Sequence, residues 1–97
     1  MIRITCEPQA YRMTVEGHSG SAPKGEDLIC AAVSIVTLTL AEMVVTVCHD
    51  REVTIRDGYA KIRGGKAAAQ YFDFARTAFK ALAAEYPEHV LMVDHYA

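Results

Sequence analysis

A histidine and a cysteine bracket the stretch of this chain best equipped for chemistry. His18 lies in Gly17-His18-Ser19-Gly20-Ser21-Ala22-Pro23-Lys24-Gly25, and Cys30 follows Glu26-Asp27-Leu28-Ile29. Twelve positions separate the two. Gly17, Gly20, Pro23 and Gly25 mark the interval as a loop, and the apolar run from Leu28 predicts a helix. Cys30 then falls in the first turn of that helix, where unpaired amides and the helix dipole favour a thiolate. The same amides offer donors to an oxyanion. A loop imidazole folded back over the helix start is placed to take the thiol proton, as a base does for a sulfur nucleophile. An inert cysteine in an apolar run and a solvated loop histidine are the competing readings of the same two residues.

Other residues are weaker candidates. Asp27 or Ser21 caps the predicted helix. Ser34 lies one turn beyond Cys30 on the same face. Asp27 and Ser34 could each support the site or be structural. Cys6, Cys48 and His49 lack the close paired spacing of a tetrahedral zinc site, so no metal is expected, and no cofactor either. Cys48-His49-Asp50 resembles a catalytic string, but sequence neighbours at a helix end do not face one another; it reads as a terminus, with His49 favourable at the negative end. His89 and His95 read as surface residues. Arg51, Arg56, Lys61, Arg63 and Lys66 gather on one hairpin, as a solvated face or as a contact for an acidic surface.

Composition narrows the class. With 97 residues, 52% hydrophobic, one domain spanning 1–97 is expected. A net charge of -2 argues against nucleic acid as the main ligand. Three cysteines without a C-x-x-C pair fit free thiols in a reducing cytoplasm better than a disulfide framework. Met1–Glu7 does not read as a secretory signal. Leu28–Cys48 is long enough to span a bilayer. It carries Ser34, Thr37, Thr39, Thr46 and Glu42, however, and reads instead as a helix buried on two sides of a small domain, with no membrane partner.

The elements that must hold the two residues follow from periodicity. Ile2–Glu7 and Tyr11–Glu16 alternate apolar and polar and predict a hairpin. Asp27–Val47 is the first helix. Glu52–Arg56 and Tyr59–Arg63 flank Asp57-Gly58, a tight-turn signal. Lys66–Tyr86 reads as an amphipathic helix with Tyr71, Phe72, Ala75, Phe79, Leu82 and Ala83 inward and Arg76, Lys80 and Glu85 outward, stopped by Pro87. Val90–Val93 is a last strand. The order β-β-α-β-β-α-β predicts an α+β fold, a two-layer, mostly antiparallel sheet with two helices.

Gly17-His18, the glycines that follow, and Gly25-x-Asp27-Leu28-Ile29-Cys30-Ala31-x-x-Ser34 resemble the bacterial ribosomal-processing cysteine protease family, Prp. The resemblance extends over nearly the whole chain in length and element order. It implies a cytoplasmic, homodimeric endopeptidase without cofactor, whose substrate is the N-terminal extension of large-subunit ribosomal protein twenty-seven. It further implies Cys30 as nucleophile and His18 as base and proton donor. Gly17, Ser19, Gly20, Ser21 and Gly25 would form the loop over the substrate. The readings from other classes are a non-catalytic ribosome-associated binding module and a thiol redox sensor.

Overall fold

Alternation along the first two strands fixes the inner face of the sheet. Ile2, Ile4 and Cys6 from one strand, and Met13 and Val15 from the next, are buried, as a period of two requires when one face is covered. A computed structural model describes residues 1–18 and 27–96. The strands are β1 (Ile2–Glu7), β2 (Arg12–Gly17), β3 (Glu52–Arg56), β4 (Tyr59–Arg63) and β5 (Val90–Asp94). The helices are α1 (Leu28–Val47) and α2 (Ala69–Glu85), with 3-10 turns at Pro8–Ala10 and Lys66–Ala68. The two helices form one layer and the sheet the other, in the expected order.

The sheet runs β3-β4-β2-β1-β5. Its pairings are antiparallel except that of β1 with β5, which is parallel. Register aligns Ile4, Val15, Ala60 and Ile55 in one row across four strands, on the side facing the helices. The next row, Thr5, Thr14, Lys61 and Thr54, faces away from them. One register matters most for the site. Glu16 at the end of β2 pairs with Tyr59 at the start of β4, so the chain leaves β2 beside the β3–β4 turn.

Three local details differ from the sequence reading. Tyr11 does not begin β2. It sits at φ 51 and closes the Pro8–Ala10 turn, its amide donating to the Pro8 carbonyl. The second helix begins with a 3-10 turn, and Arg76 is not simply outward. Its Nε and Nη2 reach the two oxygens of Asp94 at 2.9 and 2.5 Å, tying α2 to β5. That bidentate hydrogen bonding holds the Asp94 carboxyl below its usual range.

The third difference concerns α1. It was expected to bury two sides and buries one: Ile29, Val33, Thr37, Leu40, Ala41 and Val44 face inward. Leu28, Ile35, Leu38 and Val45 remain exposed. The helix is long and apolar enough to cross a membrane by length and composition, and here its inner face closes the core. The basic hairpin is largely spent on local partners. Lys61 pairs with Glu52 at 3.0 Å and Arg63 with Asp50 at 3.1 Å. Arg51 donates to the carbonyls of Cys48 and His49 beyond the end of α1.

Candidate active site

Asp27 sets where α1 begins. Its side chain accepts a hydrogen bond from the Cys30 amide at 2.9 Å, the standard N-cap geometry, and its carbonyl accepts from Ala31 at 3.0 Å. Cys30 is thereby fixed in the first helical turn. An oxyanion that uses the Cys30 amide must displace the Asp27 carboxylate. Among the described residues, the amides of Leu28 and Ile29 have no such partner. Asp27 is itself buried. Asp27→Ala should therefore cost about 1 kcal/mol of stability, whereas Asp27→Asn, an equally good cap, should retain most of it. Thermal melts of the two variants check this; equal losses would show that the cap is not what Asp27 contributes.

The three cysteines have different surroundings. Cys6 and Cys48 are buried and Cys30 is partly accessible. Burial, and next the Asp94 carboxylate, push the Cys6 thiol up to about 11, far from a reactive thiolate. The Cys48 sulfur accepts the Gly65 amide at 3.3 Å in the core. Cys30 is thus the thiol a substrate can reach. Among the described residues, no group of three or more His, Cys, Asp or Glu side chains comes together as a metal site would require.

His18 arrives at the same place from the sheet. It follows Gly17, which stands at φ +97 with its amide donating to the Gly58 carbonyl at 2.8 Å. A Cβ on Gly17 would run into the Met1 carbonyl oxygen, so glycine is needed there on both counts. The Met1 nitrogen donates to the His18 carbonyl at 2.5 Å. Main-chain bonds on both sides therefore locate His18 at the end of β2.

His18 and Cys30 line one groove of about 570 Å³, with Asp27 and Ser34 beside them. Ile2, Val15 and Ala60 line it from the sheet, Leu38 from α1 and Ile55 from β3. The Asp57-Gly58 turn and Tyr59 complete it, with the Arg56 guanidinium lying over the Tyr59 ring at 4.0 Å. The groove thus gathers the sequence candidates His18, Asp27, Cys30, Ser34 and Gly17. Ser19, Gly20, Ser21 and Gly25 lie outside the described residues. The β3–β4 hairpin was not anticipated as a wall of the site; Asp57-Gly58 signalled a turn and nothing about its neighbours. Thr37 also lines the groove, but its hydroxyl is engaged with the Val33 carbonyl at 2.7 Å.

A reachable thiol in a helix's first turn, lining a groove together with an imidazole, is an arrangement that thiol hydrolases use. Within that class, residues 1–91 match the family Cysteine protease Prp, and the chain belongs to this family of proteases. An essential ribosomal processing protease Prp from S. aureus, in complex with a covalently linked product peptide, has the same fold. It shares a TM-score of 0.81 and 17% identity over 97% of each chain. SMU.848 from Streptococcus mutans gives a TM-score of 0.72 and 22% identity, over 99% of this chain and 93% of that one. No curated protein matches the sequence.

Proposed function

We propose that this cysteine protease removes the N-terminal extension of large-subunit ribosomal protein twenty-seven through a Cys30–His18 dyad. The observation that carries the reading is the shared groove, which holds the reachable cysteine and the loop histidine together. The S. aureus relative, a ribosomal processing protease seen with a covalently linked product peptide, supports both the substrate class and a covalent route.

In this mechanism the Cys30 thiolate attacks the scissile carbonyl carbon, and the C=O electron pair moves to oxygen. Collapse of that intermediate breaks the C–N bond while the His18 imidazolium gives its proton to the departing amine. Neutral His18 then takes a proton from water, which attacks the thioester; the C–S bond breaks, the acid product leaves, and the Cys30 thiolate and His18 imidazolium are restored. The groove's apolar lining suits an extended peptide with apolar side chains. No cofactor takes part, and neither nucleic acid nor membrane is a direct partner. Three free thiols suit a cytoplasmic setting. The test is hydrolysis of a synthetic peptide copied from the extension, with wild type, Cys30→Ala and His18→Ala side by side. Both variants should lose turnover, and either one retaining wild-type rates would sink the dyad.

The same reading includes a homodimer. Leu28 is 83% and Ile35 63% exposed on α1, and Phe74 is 74% exposed on α2. Ile35 and Phe74 rim an apolar depression of about 260 Å³ between the two helices. A contiguous apolar surface of this kind is what a second copy would cover. Sedimentation equilibrium should show a dimer for wild type and a shift toward monomer for Ile35→Glu. A wild-type monomer at micromolar concentration would remove the dimer from the proposal.

A further inference from the structure

The β3–β4 turn meets the chain at Gly17 and again at His18. The Gly58 carbonyl accepts the Gly17 amide at 2.8 Å, so the turn holds the main chain at the residue preceding the histidine. The second contact is with the ring. A Cβ placed on Gly58 would lie 3.0 Å from His18 Nε2 and 3.6 Å from both Cδ2 and Cε1. The imidazole therefore rests in the space that any side chain at position 58 would enter. Gly58 also stands at φ +70, a conformation that asparagine tolerates better than other residues with side chains. Sheet register explains the encounter, because the end of β2 and the start of β4 are paired neighbours.

We infer that Gly58 is a positioning residue for this protease: its missing side chain is the seat on which the His18 ring rests, and its carbonyl anchors the chain leading to that ring. The inference rests on His18 being the base. The seat acts on where the imidazole lies among the residues lining the groove, and so on turnover more than on peptide binding. Gly65, by contrast, has open space where a Cβ would be, and glycine there seats nothing.

Two substitutions separate the seat from ordinary turn chemistry. Gly58→Ala adds one methyl group and strains the backbone at positive φ. Gly58→Asn keeps positive φ accessible but fills more of the space beside the ring. If the seat matters, stability and turnover order the variants oppositely. Melting temperature should fall from wild type to Asn to Ala, while kcat should fall from wild type to Ala to Asn. Misplacing a base by about 1 Å costs roughly 10²-fold, which is the loss expected in kcat for Gly58→Asn, with KM little changed. A Gly65→Ala control should keep wild-type kcat. Turnover that follows melting temperature, or a Gly58→Asn enzyme with wild-type kcat, overturns the inference. Should Gly58→Asn fail to fold, the imidazole nitrogen resonances of His18 in Gly58→Ala decide. Displaced resonances support the seat and unchanged ones refute it. His18→Ala assayed alongside keeps the two claims apart. If it retains activity the dyad fails; if it loses activity while Gly58→Asn keeps it, the seat alone fails.

Discussion

Cys30→Ala should abolish hydrolysis of the extension peptide, lowering kcat by roughly 10⁴-fold or more, as loss of a covalent nucleophile does. The size of the effect follows from chemistry with no substitute. Cys6 and Cys48 are buried, and the Cys6 thiol is pushed up to about 11 by burial and by Asp94. Neither can take over the attack on a peptide in the groove. Folding should be nearly untouched, because the Cys30 side chain is only partly buried and alanine is a better helix former. A melting temperature close to wild type, together with lost turnover, separates a chemical role from a structural one. Cys6→Ala should do the opposite, lowering stability while leaving turnover per folded molecule intact. A steady-state assay normalised to the folded fraction reads both.

Phe79→Ala should have the largest effect on stability. Phe79 is 0% exposed and stands first by volume among the fully buried side chains. Replacing such a ring with a methyl group loses its transfer free energy and leaves a cavity, at a cost of about 3–5 kcal/mol. A domain of this size is stable by only about 5–15 kcal/mol, so the variant should be partly unfolded near physiological temperature. The consequence for function is indirect. α2 packs beside α1 in the same layer, and α1 carries Cys30 and Ser34 into the groove. Urea denaturation measures the loss. A change below about 1 kcal/mol would mean that the core collapses to fill the space, as cavity costs depend on relaxation.

Local pattern carried most of the architecture. Alternation in Ile2–Glu7, the Asp57-Gly58 turn, the Asp27 cap and the inward stripe from Phe72 to Phe79 are short-range signals, and each appears in the fold as read. Sheet order and the parallel partnership of β1 with β5 were not legible, because a period of two names a strand's inner face but not its neighbours. The same gap hid the β3–β4 wall of the groove. Gly58 lies forty positions from His18, and only the pairing of β2 with β4 makes them neighbours. The single buried face of α1 was missed for a different reason. An all-round apolar helix looks the same in sequence whether its second face meets the same chain or another one. The Arg76–Asp94 pair was hidden too, since it joins a helix to a strand that pattern alone does not place side by side.

Covalent labelling tests the dyad most directly. A peptide matching the extension up to the cleaved bond, ending in a chloromethyl ketone, should alkylate wild-type protein once. Peptide mapping by mass spectrometry should locate the adduct on Cys30, and His18→Ala should greatly slow its formation. Adduct on Cys6 or Cys48, or no adduct on Cys30 in enzyme that still cleaves the parent peptide, would contradict the assignment of Cys30 as the nucleophile.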